Sequence, residues 1–172
     1  IDTDVIARKI VQPGQDALTQ LVNQFGNNIV HSDGSLNRGA LRKIAFASKA
    51  NKAKLDSITH PAIRQETTKL IQASNSDYCI VVVPLLSKDS PFLTIMQRIV
   101  VVTASHDTKI KRVEIRSNLS KEEIETIMQT QLSDEQRLEF ADDIIENNSS
   151  KEHVYSAVEK LHLTYLELSQ LR

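Results

Sequence analysis

Two short apolar runs, Tyr78-Cys79-Ile80-Val81-Val82-Val83 and Arg98-Ile99-Val100-Val101-Val102, constrain this chain more than any other feature. Both are rich in β-branched residues and neither alternates with polar ones, the pattern of strands buried on both faces of a parallel sheet. Parallel strands need crossover helices, and helical patterns flank both runs, so the chain reads as α/β. A short final strand is expected over Asp143-Ile144-Ile145-Glu146.

The helical patterns before the first run are explicit. Asp4 to Val11 reads as a helix closed by Pro13-Gly14, and Asp16 to Phe25 as a second, with Leu18, Leu21, Val22 and Phe25 on one face and Gly26 as its stop. Asp33-Gly34 marks a turn, and Leu41, Ile44 and Ala45 a third helix. A fourth, carrying Leu55 and Ile58, is expected to end near His60, because proline disfavours helix at the residue before it. Pro61 would then open a fifth through Ile63, Thr67, Leu70 and Ile71. After the second run, Ser120-x-x-Glu123 and Ser133-x-x-Gln136 are capping-box patterns. A C-terminal helix carries Val154, Val158, Leu161, Tyr165 and Leu168 in a stripe, either a coiled-coil seam or a face packed on the sheet; it is short for a heptad seam.

Composition narrows the function. With 40% hydrophobic and 25% charged residues, the 172-residue chain can bury the core of one compact domain. The net charge of -1 provides no basic surplus for nucleic acid or an anionic membrane, and the absence of Trp argues against a base-stacking platform. No apolar stretch is long enough to span a bilayer. Cys79 is the one cysteine, so no disulfide forms within the chain; a reducing cytoplasm and a buried apolar role are expected.

The candidate chemistry is phosphoryl transfer, which needs a positioned hydroxyl, a cradle for donor phosphates and cations on the transferring group. Asp2-Thr3-Asp4 places two carboxylates at a strand end, where α/β sheets bind ligands. Either could instead cap the helix that begins there, and Arg8 could simply pair with Asp4 one turn away. Arg112 and Arg116 share a helix face and, with Arg137, could hold a phosphate or lie on a solvated surface. His60 has no second His or Cys at metal-ligand spacing, and no metal site is expected. No G-x-x-x-x-G-K-[ST] phosphate loop occurs in these residues.

Taken in order, these motifs resemble the dephospho-coenzyme A kinases. Ile1-Asp2-Thr3-Asp4-Val5-Ile6-Ala7-Arg8 resembles that family's I-D-A-D-x-I-A-R, and Pro13-Gly14, Phe25-Gly26, Asp33-Gly34-Ser35-Leu36-Asn37-Arg38, His60-Pro61, Val83-Pro84-Leu85-Leu86 and Gln131 follow in family order. Ala141-Asp142-Asp143-Ile144-Ile145-Glu146-Asn147-Asn148 is similar to A-D-D-V-I-D-N-N. The resemblance spans nearly the whole chain. Ser87-Lys88, Ser117-Asn118 and Lys109 depart from it; Lys109 stands where Gln is frequent.

The resemblance implies a P-loop NTPase-like three-layer core with a parallel sheet, a helical acceptor-binding insertion and a helical lid, as in nucleoside-monophosphate kinases. The acceptor subdomain would cover residues 5–75, the core 76–104 and 142–172, and the lid 105–141. It implies that ATP phosphorylates the ribose 3′-hydroxyl of dephospho-coenzyme A, with Mg²⁺, as the last step of coenzyme A synthesis. Asp4 would be the general base, with Asp2 assisting. Arg8, Arg38, His60, Pro84 and Leu85 would contact the acceptor, Arg116 and Arg137 would neutralise ATP phosphates, and Arg112 and Asn147 would hold the nucleotide. No obligate protein partner is expected. About thirty residues carrying the first strand and the P-loop are expected upstream of Ile1, so residues 1–172 alone are expected to be inactive. Another small-molecule kinase and a non-catalytic helical interaction protein are the alternatives.

Overall fold

In the computed structural model, which describes residues 1–171, the chain begins extended and turns at once into a helix. Asp2 forms a parallel bridge with Val82: the Val82 N–H donates to the Ile1 carbonyl (2.8 Å), and the Thr3 N–H donates to the Val82 carbonyl (3.1 Å). The Thr3 hydroxyl donates to that same carbonyl (2.8 Å), so a buried threonine fixes where strand-like backbone gives way to helix. Ile1-Asp2 is therefore extended and bridged to Val82 without forming a strand of its own. The Tyr78–Val83 run does not form the strand expected of it. Its backbone pairing among the described residues is confined to Ile1–Thr3, with the Ile1 nitrogen also donating to the Ile80 carbonyl (2.8 Å), and Ile80 and Val82 are exposed rather than buried on both faces. Apolar, β-branched residues favour a strand, but a strand is defined by paired neighbours. Cys79 is half-buried rather than buried.

The chain forms two compact units, Ile1–Pro84 and the residues from Leu85 onward. The first is helical: α1 (Thr3–Lys9), α2 (Asp16–Phe25), α3 (Arg38–Phe46) and α4 (Lys49–Gln72). Ile6, Ile10, Val11, Ala17, Leu21, Ile29 and Leu41 form its core. α2 ends at Gly26, whose φ of 88° disfavours a side chain and where a Cβ would lie 2.9 Å from Asn28 Oδ1. The expected break at His60-Pro61 is absent, since α4 runs through it as one helix. Leu55 and Ile58 before the proline, and Ala62 and Ile63 after it, pack against the same core, so burial on both sides keeps the helix continuous through a residue that cannot donate to Ser57. Pro61 and Ser57 are both exposed.

The second unit holds β1 (Val100–Thr103), α5 (His106–Ser117), α6 (Lys121–Gln129), α7 (Asp134–Leu138), β2 (Asp143–Glu146) and α8 (Lys151–Gln170). β1 and β2 pair in parallel, with Val101 opposite Ile144 and Val102 opposite Ile145. Of the second apolar run only Val101 is buried; Val100 and Val102 are exposed, so this strand is covered on one face rather than two. Both expected capping boxes form, at Ser120/Glu123 and Ser133/Gln136. α8 packs on β2, as its stripe suggested, although none of its residues is fully buried.

Candidate active site

Asp2 is the N-cap of α1. Its Oδ1 accepts the N–H groups of Asp4 (2.8 Å) and Val5 (3.4 Å), two of the helix's otherwise orphaned donors. Asp4, in the first turn, is exposed and its carboxylate makes no hydrogen bond or ion pair among the described residues. The pairing of Asp4 with Arg8 that the spacing allows does not form; Arg8 is exposed in the last turn of α1. α1 is held on α4 by the Lys9–Glu66 ion pair (2.6 Å), and the Lys9 ammonium holds the Glu66 carboxyl below its ordinary range.

Two other candidate residues of the first unit, Arg38 and His60, sit on α3 and α4, helices that share its core. Arg38 is the first residue of α3, exposed, next to Asn37, whose side chain caps that helix by accepting the Ala40 N–H (2.9 Å). His60 lies inside α4, not at a helix boundary, with Nε2 3.7 Å from Asp56 Oδ1. Pro84 ends the first unit and Leu85 begins the second; both are exposed.

In the second unit, Arg112 and Asn147 are brought together. They line one cleft of about 360 Å³ with Ser149, Lys151, Val154 and Tyr155. The Asn147 N–H donates to the Thr103 carbonyl (2.8 Å), continuing the β1–β2 ladder beyond the strands. Asn148 Oδ1 accepts the Ser105 N–H (2.5 Å), which ties the start of α5 to the end of β2. Arg116 is exposed in the last turn of α5, and its Nε donates to the Ser117 hydroxyl (3.4 Å). Arg137, on α7, donates through Nε (3.1 Å) and Nη2 (2.9 Å) to the Leu132 carbonyl.

A dephospho-CoA kinase family model matches residues 1–153. The chain belongs to the dephospho-CoA kinase family. It is a P-loop NTPase-like α/β protein and, with its family, an ATP-dependent transferase of the final step of coenzyme A synthesis. It is similar to the dephospho-CoA kinases of Shigella flexneri and Escherichia coli K12, at 41% identity over 169 residues, 98% of this chain and 82% of each relative. Among solved structures, a Campylobacter jejuni dephospho-CoA kinase aligns with a TM-score of 0.67 at 26% identity, over 99% of this chain and 84% of that one. The crystal structure of TT1252 from Thermus thermophilus aligns at 0.78 with 21% identity, over 95% of this chain and 82% of that one, a likeness of fold.

Two features of this dephospho-CoA kinase escaped sequence reasoning. Within the Ala-Asp-Asp motif, Asp142 accepts the Ile99 N–H (2.7 Å), while Asp143 takes a bidentate Arg98 (2.8 and 3.0 Å) and the Tyr165 hydroxyl (2.6 Å). Arg98 holds the Asp143 carboxyl below the usual carboxylate range; burial, with the neighbouring Asp143, pushes the Tyr165 phenol up. These aspartates join β1, β2 and α8. The second is the chain Lys109–Asp134–Arg137, which links α5 to α7, joined by contacts between side chains 25 and 3 residues apart, of which only the shorter spacing has a helical signature.

Proposed function

We propose that this kinase transfers the γ-phosphoryl group of ATP to the ribose 3′-hydroxyl of dephospho-coenzyme A with Asp4 as the proton acceptor. The observation that carries this reading is the division between the two carboxylates: Asp2 is committed to capping α1, while Asp4, two residues on, is exposed and unpaired. A general base must keep a free lone pair for the incoming hydroxyl. As the hydroxyl oxygen attacks γ-phosphorus its proton passes to Asp4, the bond from γ-phosphorus to the β,γ-bridging oxygen breaks, and ADP leaves. Arg8, Arg38 and His60, with Pro84 and Leu85, hold the acceptor; Asp2 keeps Asp4 in register. Exposed guanidinium groups such as those of Arg8 and Arg38 suit the anionic groups of the acceptor.

Arg116 and Arg137 bear on the donor phosphates, where cations stabilise charge spread over the transferring oxygens. Arg112 and Asn147 contact the nucleotide in their shared cleft. We place the acceptor subdomain at 5–75, the core at 76–104 and 142–172, and the lid at 105–141. No group of three or more His, Cys, Asp or Glu among the described residues forms a cage for an ion. Mg²⁺ would be carried on ATP, since this ion keeps its waters and phosphate oxygens and takes few protein ligands, and it would offset phosphate charge. No described helix is long and apolar enough to cross a membrane, and a cytoplasmic setting, with one cysteine and no disulfide, fits the ATP requirement.

The test divides the arginines. In the intact protein, Arg8→Ala and Arg38→Ala should raise KM for dephospho-coenzyme A with kcat largely kept, because they remove binding common to ground and transition states. Arg116→Ala and Arg137→Ala should lower kcat by about 100- to 1,000-fold. Wild-type kcat in both of the latter variants contradicts the assignment.

A further inference from the structure

The lid segment contains a charge arrangement that the roles above leave unused. Lys109 of α5 is ion-paired through Nζ with Oδ2 of Asp134, the first residue of α7. The other oxygen, Asp134 Oδ1, is buried, accepts no hydrogen bond among the described residues, and lies 3.7 Å from Arg137 Nη2. Arg137 itself is anchored: Nε and Nη2 both donate to the Leu132 carbonyl. All three side chains are at least two-thirds buried (24% exposed for Lys109, 31% for Asp134, 32% for Arg137).

A guanidinium is a planar fork of five N–H donors. The Leu132 carbonyl takes the side edge of that fork, leaving the end edge, Nη1 with the second Nη2 hydrogen, for a bidentate anion. The obvious competitor for that edge is Asp134, close by, shielded and short of a donor. What restrains it is the ammonium of Lys109 on its other oxygen. A partly dewatered carboxylate left without a counter-charge recruits the nearest cation, because leaving it unpaired is costly.

We propose that Lys109 is a positioning residue for phosphoryl transfer: by neutralising Asp134 it leaves the free edge of Arg137 for the donor phosphates. The inference rests on the phosphate-binding role of Arg137. A structural alternative, in which the Lys109–Asp134 pair merely pins α5 to α7, makes a different prediction for the double variant. If pinning is what matters, removing Asp134 as well as Lys109 restores nothing. If charge is what matters, removing the competitor restores Arg137.

The experiment is a set of variants of the intact protein, assayed for kcat and KM for ATP, with thermal unfolding followed in parallel. Lys109→Ala should lose about tenfold in kcat/KM for ATP, and Lys109→Arg should keep most of it. Asp134→Asn alone should cost less than Lys109→Ala, and Lys109→Ala/Asp134→Asn should return to within about threefold of wild type. In an Arg137→Ala background, Lys109→Ala should add no further loss. If Lys109→Ala proves too unstable to assay, the double variant and Lys109→Arg decide the matter, since neither leaves an unpaired carboxylate. A double variant as impaired as Lys109→Ala, or full activity in Lys109→Ala with Arg137→Ala impaired, overturns the proposal and leaves the role of Arg137 intact. Full activity in Arg137→Ala overturns that role and the proposal with it.

Discussion

The Oδ1 atom of Asp2 accepts the backbone N–H of Asp4 at 2.8 Å. One carboxylate thereby fixes the first turn of the helix that carries the other, at the point where strand-like backbone bridged to Val82 turns into α1. The carboxylate that caps α1 and the exposed carboxylate proposed as the proton acceptor are two residues apart.

Asp2→Ala tests the structural half. Loss of the cap should cost about 1 kcal/mol of stability, read as a lower denaturation midpoint with an unchanged slope. Turnover should fall through misplacement of Asp4, with part of the loss recovered in Asp2→Asn, because asparagine caps as well as aspartate. Equal midpoints for Asp2→Ala and wild type contradict the capping role.

Asp143 should show in the acid limb of stability. Its carboxyl titrates below the usual range because Arg98 and Tyr165 donate to the charged form. The native state therefore binds fewer protons than the unfolded chain in mildly acid solution. The stabilisation is complete above the unfolded value of about 4 and disappears as pH falls through the lower folded value. Asp143→Asn should be less stable at neutral pH by about 2 kcal/mol, and its stability should fall less steeply with acidification. Parallel acid limbs for the two proteins contradict this account.

Pro61 is held in a continuous helix by the packing on either side of it. Restoring the N–H should let residue 61 donate to Ser57, and alanine is the better helix former by about 3 kcal/mol in isolated helices. Some of that is returned through the freer unfolded chain. Pro61→Ala should therefore raise the thermal midpoint. A fall would mean that the proline ring packs in a way its exposure does not suggest.

What could be read from sequence was what is decided locally. α2 has the bounds expected from its apolar face and Gly26, the two Ser-x-x-Glu/Gln boxes cap as expected, and Asp143–Glu146 is a strand. The misreadings share a cause. Tyr78–Val83 has every strand propensity yet only one bridge, because pairing depends on the neighbouring chain. Pro61 sits mid-helix because contacts made by Leu55, Ile58, Ala62 and Ile63 outweigh a local rule. The site was legible in part: Asp2 and Asp4 were visible as a pair, but which of them caps depends on where α1 begins, a matter of one or two residues. The unsatisfied oxygen of Asp134 left no sequence trace, since burial of a single carboxylate oxygen is a property of packing.

If the Asp4 carboxylate accepts the proton of the acceptor hydroxyl, Asp4→Asn removes that acceptor with almost no change in shape. Because Asp4 is exposed and unpaired, the variant should match wild type in thermal midpoint and in affinity for dephospho-coenzyme A. At saturating ATP and acceptor, its kcat should fall by about 100- to 10,000-fold. A folded Asp4→Asn protein that turns over within a few-fold of wild type under those conditions contradicts the assignment.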